Sequence, residues 1–597
     1  MSIDQKLRAA VGLHQAGNLA DAGELYQEIL IEEPNQVDAL NLLGVILNTA
    51  GKTDAALTLL ERACTLAPEF AAPFVNMGNA LQSVGRLTEA IDALQKGLVL
   101  APEQAETWNN LASALNIEGR HNEAITACTQ SLTLAPQLGA AHVNMGNALL
   151  ALGNKNEAEH AFEKALKLDP ADSNAFFNLG NIKMQVAQFE EAHSYYSRAV
   201  ALDSCNPEKL YNLGNARQAL DRYEDAIAAY DASLTVRPGY VDAQCNRGAT
   251  LQMMGQIEPA IQSLRAAIEI EPNSADLHWN LSLALLEKGE MAEGWAEYEW
   301  RWRTPAFTDK ARDFGVPSWQ GEPQLGKTLL ITAEQGFGDA IRFARYLTHV
   351  KKLMGRIIVE CRPPLIRLFQ EIAEVDATIQ YGNAPPQIDL TCPMMSLAHV
   401  LKDNFINVKL NETIPAETPY LSAPATIVPS TLISQPGRLK VGLVWAGSPS
   451  RAEAHKRSCP LINFLPLLNI DNINFFSLQV GPSQAELDSM PEHHGIIDLA
   501  NDFSDFADTA NAILAMDLII TVDTAVLHLA GALAKPAWGV MSRPTGFLWQ
   551  TDRQDSPWYS TVRLFRQPTP GDWAGLFSQL RPALKDFVER HSRPDDV

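Results

Sequence analysis

Residues 328–339 have the sequence Thr-Leu-Leu-Ile-Thr-Ala-Glu-Gln-Gly-Phe-Gly-Asp, which decides the fold of the second half of the chain. An apolar run leads into a turn that contains Gly336, Phe337 and Gly338, and an amphipathic segment follows. The pattern predicts a strand, a glycine turn and a helix. We expect the two glycines to take positive φ and to allow close packing, and Asp339 to cap the helix. Asp339 either serves as this cap or presents its carboxylate to a ligand.

The first half of the chain repeats itself every 34 residues. A small residue recurs at this period, a second one follows twelve positions later, and a proline closes most units. These features resemble the tetratricopeptide repeat family and predict an α-solenoid of about nine helix pairs in a domain of residues 1–304. The first small residues are Ala10, Gly44, Gly78, Ala112, Gly146, Gly180, Gly214, Gly248 and Ser282. The sixth unit differs, because Ser204 stands in place of the proline and Pro207 comes later.

An asparagine stands two positions before the small residue in each unit from the third onward. Asparagine is a mediocre helix former, so seven in phase need a reason. On the concave face their amides could hold the backbone of an extended polypeptide. Alternatively, they bridge adjacent repeats and bind nothing. The row is similar to the asparagine ladder of O-linked N-acetylglucosamine transferases. It consists of Asn76, Asn110, Asn144, Asn178, Asn212, Asn246 and Asn280, and Asn79, Asn147, Asn181 and Asn215 form a second set.

The second half changes from helical periodicity to short apolar runs that alternate with amphipathic stretches. Residues 305–326 are rich in proline and glycine and predict a linker. The alternation predicts two parallel α/β lobes, at 327–435 and 436–597, with a ligand cleft at the strand ends. The predicted strands are 328–332, 356–360, 378–380, 388–390, 439–446, 474–479, 518–522 and 537–540.

In the second lobe, residues 521–533 carry a polar turn between a buried strand and a helix. Asp523 and Thr524 form the turn, and Ala525 begins the helix. A helix N-terminus favours an anion, so we expect the diphosphate of a donor substrate here. Asp523 could instead only cap the helix, and His528 could be a core histidine.

A long polar loop at 446–458 follows an earlier strand of the same lobe. Lys456 and Arg457, with Ser458 beside them, could neutralise a leaving diphosphate. The alternative is a solvated loop. Gln479, at the end of another strand, is a weaker candidate for binding a nucleoside.

Together these segments resemble the heptosyltransferase-like glycosyltransferases that bacteria fuse behind tetratricopeptide arrays. The resemblance implies a GT-B fold of two Rossmann-like lobes, with the acceptor on the first and the donor on the second. It also implies inverting transfer from a nucleotide sugar without a required metal or other cofactor. Asp339 would be the general base, with Lys456 or Arg457 as the charge partner of the phosphate. Asp523 and Thr524, together with His528, would form the turn and helix that bind the donor. The stretch 541–549 departs from the family's pattern. The motifs lie at 334–339, 441–447, 457–458, 477–479, 522–533 and 556–559.

Composition limits the remaining function classes. A formal net charge of −23 makes nucleic acid an unfavourable partner. Seven dispersed cysteines and the absence of an apolar leader predict a cytoplasmic protein with reduced thiols, and no segment predicts a membrane span. The leading hypothesis is a glycosyltransferase whose protein acceptor lies in the repeat groove. The alternatives are transfer to a lipid-linked or polysaccharide acceptor, and a non-catalytic scaffold. Self-association stays open.

Overall fold

The computed structural model describes residues 1–308, 312–402, 414–415, 417–424, 438–447, 457–490, 495–543, 545–551 and 553–591. The chain divides into two compact units, 1–240 and 241–597. The first unit is entirely helical. The second begins with four more helices and continues into two parallel sheets.

The helices of the repeats alternate as the 34-residue period predicts, so the nine helix pairs are confirmed. In the first unit they are α1 Ile3–Gln15, α2 Leu19–Glu32, α3 Val37–Thr49, α4 Thr53–Leu66, α5 Ala71–Ser83, α6 Leu87–Leu100, α7 Ala105–Ile117, α8 His121–Leu134, α9 Gly139–Ala151, α10 Lys155–Leu168, α11 Ser173–Gln185, α12 Phe189–Leu202, α13 Pro207–Ala219 and α14 Tyr223–Val236. In the second unit they are α15 Val241–Met253, α16 Ile257–Ile270, α17 Ala275–Lys288 and α18 Met291–Tyr298.

The recurring small residue lets a bulky side chain of the second helix fill the space between the two helices of a pair. A Cβ added to Gly44 would lie 2.8 Å from Leu60 Cγ, and one added to Gly180 would lie 2.5 Å from Tyr196 Cε1. Leu60 and Tyr196 are both buried. The period therefore records a steric requirement within each pair.

In the turns between repeats, the residue before proline has the non-helical φ and ψ angles that proline imposes on it. Glu33, which precedes Pro34, ends α2 with φ −129° and ψ 86°. Asp203, which precedes Ser204, adopts φ −142° and ψ 80° without a following proline. The sixth repeat thus keeps the turn. Pro207 occupies the first position of α13, where a missing N–H costs little.

The α/β part contains two sheets in which every described pairing is parallel. The first has the order β3-β2-β1-β4 and the second the order β10-β9-β8-β5-β6-β7. The strands are β1 Gln324–Thr332, β2 Met354–Cys361, β3 Ala377–Gln380, β4 Leu390–Pro393, β5 Leu439–Val444, β6 Ile473–Ser477, β7 Ile496–Asp498, β8 Leu518–Val522, β9 Ala537–Met541 and β10 Val562–Arg566. Each of the eight predicted strands overlaps an observed one, although the strand predicted at 388–390 shares only Leu390 with β4, and β7 and β10 were not predicted.

Further helices precede, connect and follow these strands. They are Pro305–Thr308, Phe337–Phe343, Leu347–Leu353, Ile366–Gln370, Leu397–Val400, Leu465–Leu468, Phe506–Leu514, Ala525–Ala532 and Trp573–His591. Within the described residues, no helix combines the length and the apolar character needed to cross a bilayer.

The segment predicted as a linker is packed against the first sheet. The Trp319 side chain is buried, and its backbone N–H donates to the Thr391 carbonyl at 2.8 Å. β1 already begins at Gln324, inside the predicted linker. The prolines explain why the segment lacks a helical period. Its described part is nevertheless packed and hydrogen-bonded to the sheet and does not form a flexible linker.

The last repeat contacts both sheet regions. Trp295 packs edge-on against Phe343, which belongs to the helix that follows β1 of the first sheet, with ring centroids 5.2 Å apart. Glu287 accepts from the Thr551 hydroxyl at 3.1 Å in the second sheet's region, and from Gln252 Nε2 at 2.8 Å in α15. The aromatic end of the array therefore packs against the α/β part, as its composition indicated.

We predict that Gly180→Ala destabilises the repeat array. The Tyr196 hydroxyl donates to Asn181 Oδ1 at 2.7 Å, so its ring cannot easily turn away from an added methyl group. The free energy of unfolding should fall by about 1–3 kcal/mol, measured by urea denaturation followed by circular dichroism. Gly12→Ala is the matched control, because no atom lies within 4 Å of its added Cβ. Equal effects of the two substitutions would contradict the steric explanation.

Candidate functional site

The glycine turn after β1 leads directly into the helix Phe337–Phe343, which we call the Asp339 helix. Gly336 is its N-cap, with φ −70° and ψ 165°, and Asp339 is the third residue of the helix. The prediction that Asp339 is the N-cap is therefore wrong. Neither Gly336 nor Gly338 has positive φ, so that prediction is wrong as well. Gly336 has an extended backbone conformation, and the helix begins at the next residue.

Close packing at this turn is confirmed at Gly338. A Cβ added there would lie 2.8 Å from His528 Cδ2 and 3.5 Å from Ala525 Cα. Both neighbours belong to the helix Ala525–Ala532, called here the His528 helix, which follows β8. The helices that follow β1 and β8 thus contact each other, which brings together the carboxyl ends of two central strands.

Asp339 forms an ion pair within its own helix. Arg342 Nη2 donates to Asp339 Oδ1 at 2.9 Å. The Arg342 guanidinium is fully buried and lies 4.8 Å from the centre of the Trp558 ring. Among the described residues its Nε and Nη1 have no hydrogen-bond partner. A buried cation with unused donors favours an anionic or carbonyl-bearing group beside Asp339.

The second cluster lies where the strand order of the second sheet reverses, between β5 and β8. Arg457 Nη1 lies 3.5 Å from Asp523 Oδ2, and the Trp549 indole N–H donates to Asp523 Oδ1 at 2.9 Å. Thr524 is the N-cap of the His528 helix, which begins at Ala525, and its hydroxyl lies 3.0 Å from that of Thr521. Arg457 and Asp523, each predicted separately as a donor-site residue, therefore meet at the place where parallel sheets bind ligands.

His528 lies in an aromatic environment. Its Nδ1 is 3.1 Å from the Tyr559 hydroxyl, and its ring stacks on Trp549 with centroids 5.0 Å apart. The side chain is only 4% exposed. These contacts favour the core interpretation of His528 over direct donor binding. Trp549 comes from the stretch 541–549 that departs from the family's pattern, and it connects His528 to Asp523.

Two other predicted donor residues hold the loop after β5. Gln479 Oε1 accepts from the backbone N–H groups of Trp445 and Ala446, at 3.1 and 2.9 Å. Ser458 Oγ accepts from Gly447 N at 3.3 Å. Lys456 lies outside the described residues. Gln479 and Ser458 thus bond to residues 445–447 directly after β5, and their binding roles stay predictions.

Four asparagines of the ladder bridge neighbouring repeats. Their Nδ2 atoms donate to asparagines of the preceding repeat at 2.8–3.0 Å, in the pairs Asn76 to Asn41, Asn110 to Asn79, Asn144 to Asn109 and Asn178 to Asn147. Asn212 turns back to the Glu208 carbonyl, and Asn280 donates to Cys245 Sγ. In the second set, Asn181 and Asn215 accept from Tyr196 and Tyr230. The alternative in which the amides join repeats therefore describes these four and also Asn280, because Cys245 belongs to the preceding repeat. All seven ladder residues remain partly accessible, including Asn246.

Glu334, a buried carboxylate to which the sequence pattern assigned no role, lies beside the turn. Glu334 accepts from Arg301 Nη2 at 3.2 Å and from Met394 N at 3.1 Å. Burial raises the pKa of Glu334 to about 6, although the Arg301 charge opposes this shift. Arg301 is itself fully buried and also pairs with Glu299. No local pattern in Trp-Arg-Trp indicates this pairing between the end of the repeats and the turn after β1.

The helix pairs and the family comparisons together show tetratricopeptide repeats in the first half of the chain, ahead of an α/β region. Residues 2–208 match the family model described as the C-terminal domain of cilia and flagella-associated protein 70. Residues 177–241 match a tetratricopeptide repeat model, and residues 253–289 match a TPR repeat model.

Among individual proteins, the chain is similar to Protein FlbA of Caulobacter vibrioides, at 30% identity over 330 residues. The match covers 51% of this chain and 54% of FlbA, so the chain spans about half the length of that relative. Among solved structures, the APC/C hetero-tetramer Cut9-Hcn1 has a TM-score of 0.38 at 22% identity, over 45% of this chain and 52% of that one. YrrB, described as a TPR protein with an unusual peptide-binding site, has a TM-score of 0.28 at 26% identity, over 31% and 96%.

We predict that Gly338→Ala weakens the junction between the two helices. His528 is held by Tyr559 and Trp549 and cannot move away from the added methyl group. The free energy of unfolding should fall by about 1–3 kcal/mol, measured by denaturant titration of tryptophan fluorescence. Gly326→Ala on β1 is the matched control, since nothing lies within 4 Å of its added Cβ. A loss no larger than that of the control would contradict the close approach.

We also predict a pH dependence that arises from Glu334. Its pKa is raised from 4.5 to about 6 in the folded protein, so folding favours the protonated form. This contribution is complete below about pH 4.5 and is lost as the pH rises through about 6. The free energy of unfolding of the unsubstituted protein, relative to Glu334→Gln, should therefore fall by about 2 kcal/mol over that window.

The measurement is a series of denaturant titrations from pH 4 to pH 7.5 on both proteins. Glu371→Gln is the control, because Glu371 is exposed on the same lobe. The difference between that control and the unsubstituted protein should stay constant. Parallel pH curves for the unsubstituted protein and Glu334→Gln would refute the assignment.

Proposed function

We propose that the chain is an inverting glycosyltransferase that moves a sugar from a nucleotide sugar to a protein acceptor. In this proposal the two parallel sheets are the Rossmann-like lobes of a GT-B fold. One observation carries it: the contact of Gly338 with the His528 helix brings Asp339 and the Arg457–Asp523 pair to the same junction. Parallel sheets bind ligands at the carboxyl ends of their strands, and both clusters stand at such ends.

In the proposed mechanism, Asp339 accepts the proton of an acceptor hydroxyl as that oxygen attacks the anomeric carbon. A bond forms between the acceptor oxygen and the carbon while the bond to the diphosphate oxygen breaks, and the diphosphate leaves with the electron pair. Arg342 orients the Asp339 carboxylate through the ion pair between them. Arg457 is 38% exposed and can turn from Asp523 toward the developing phosphate charge.

The proposed acceptor site is the row of asparagines in the repeats. Each amide offers two N–H donors and one carbonyl acceptor. The bond between repeats uses one donor of each of the four bridging asparagines, which leaves polar capacity on partly accessible side chains. Such a row suits the backbone of an extended polypeptide. A lipid-linked or polysaccharide acceptor would not need it.

A specific observation favours a second candidate, a scaffold that binds protein partners without catalysis. Asp339 is paired with Arg342, and both oxygens of Asp523 lie near Trp549 or Arg457. A transferase that has lost its substrates would keep such internal pairs. Nucleotide binding separates the two candidates.

The test begins with the full chain and a panel of nucleotide sugars, whose binding is measured by thermal shift and calorimetry. A ligand that binds only the folded protein raises its apparent stability. We expect one nucleotide sugar to bind, and Arg457→Gln to weaken it by about tenfold or more, as a lost charged hydrogen bond would. Asp339→Asn should retain this binding but reduce transfer to cytosolic polypeptides by at least ~100-fold.

Exposed residues of the second lobe provide matched controls. Arg590→Gln and Asp471→Asn repeat the same chemical changes far from the two clusters in sequence and should leave binding and transfer unaltered. Binding of no nucleotide sugar would reject the transferase in favour of the scaffold. Undiminished transfer by Asp339→Asn would remove Asp339 from the role of base. Transfer to lipid-linked sugars or polysaccharides alone would reject the protein acceptor.

A further inference from the structure

A cavity of about 430 Å³ lies at the carboxyl edge of the first sheet. Thr332 at the end of β1, Glu360 near the end of β2 and Pro393 at the end of β4 line it. The strand order of this sheet reverses between β1 and β4, so the cavity occupies the position where open parallel sheets bind ligands. Its other wall comes from the end of the repeats, at Trp302, and from the segment around Trp319.

The cavity is separate from the two clusters of the candidate site. Among its described lining residues, only Glu334 comes from the turn that leads to Asp339. Asp523 and His528 do not line it. Its volume is that of a small-molecule site.

The hydrogen bonding of the Glu360 side chain indicates that the cavity binds a ligand. Its side chain is fully buried, and Oε1 accepts from Arg312 Nη1 and, at 3.1 Å, from Gly382 N. Oε2 has no hydrogen-bond partner among the described residues. A buried carboxylate oxygen without a donor is costly, on the order of 1–3 kcal/mol or more. A hydroxyl group donated by a ligand would remove that cost.

The walls combine aromatic faces with small polar groups. Phe314, Tyr381 and the buried Trp319 supply aromatic surface, and the Arg312 guanidinium lies 4.6 Å and 5.3 Å from the Phe314 and Tyr381 ring centres. Ser318, Thr332 and Thr391, whose side chains carry hydroxyl groups, also line the cavity. Aromatic surface beside hydroxyl and carboxylate groups suits a ring with an apolar face and hydroxyls at its edge.

The charges around the cavity are already paired. Glu299 and Glu334 share Arg301, and Glu299 also accepts from Ser396. Arg312 neutralises Glu360. One unused acceptor therefore remains without a large excess of charge. The three carboxylates share two guanidinium groups, so one negative charge is in excess and an anionic ligand would be repelled. An uncharged O–H donor would complete the set.

We propose that this cavity binds a neutral polyhydroxylated ring, a free monosaccharide or a cyclic polyol, with one hydroxyl donated to Glu360 Oε2. This site is additional to the nucleotide-sugar site proposed above and does not depend on it.

The experiment uses the full chain and a panel of neutral monosaccharides and cyclic polyols, with binding followed by saturation-transfer NMR and calorimetry. One or more members should bind, and Glu360→Gln should weaken binding by about tenfold or more. Tyr381→Ala is a second variant on a partly exposed wall, 38% accessible, and should also weaken binding if the first variant fails to fold. Glu371→Gln is the matched control and should bind as the unsubstituted chain does.

Competition distinguishes this cavity from a donor site. Adding nucleoside diphosphates should not displace the monosaccharide. Displacement by them would overturn the proposal, because the sugar would then occupy the nucleotide-sugar site. Binding of no neutral member, binding of amines or anions only, or binding unchanged in both Glu360→Gln and Tyr381→Ala would overturn it as well.

Discussion

The α/β part of this protein depends on the close approach of Gly338 to the His528 helix. Any side chain at Gly338 would meet the His528 ring, which stacks on Trp549 and contacts Tyr559. A second glycine makes room for the same layer, because a Cβ on Gly531 would lie 2.3 Å from Tyr559 Cγ. The two glycines therefore allow one aromatic layer to join the helices that leave the two sheets.

Buried arginines complete this layer. Arg342 and Arg345 are essentially inaccessible and lie against the rings of Trp558, Tyr559 and Tyr420. Aromatic faces attract a guanidinium but replace only part of its hydration. Ion pairs and hydrogen bonds must supply the rest, as Asp339 does for Arg342. Such charges rarely add net stability over apolar residues, and they are best understood as fixing geometry beside Asp339.

The sequence predicted the helices well because their period has a steric cause within each pair, seen at Gly180 and Tyr196. It predicted the longer strands from their apolar runs, but β7 has only three residues and β10 carries Arg563 on an exposed position. The start of the Asp339 helix was misplaced, because Gly336, Gly338 and Asp339 are all acceptable N-cap residues. The parallel sheets were foreseen, whereas the cavity was not, since Arg312 and Glu360 lie far apart in the chain and form no motif.

The last repeat holds both sheets at once. Arg301 bonds to Glu334 on the first side, and Glu287 bonds to Thr551 on the second. These two bonds oppose a hinge motion between the sheets, because moving the sheets apart would break one of them. A force that pulled on the last repeat would therefore act on both sheets at once, through Arg301 and Glu287.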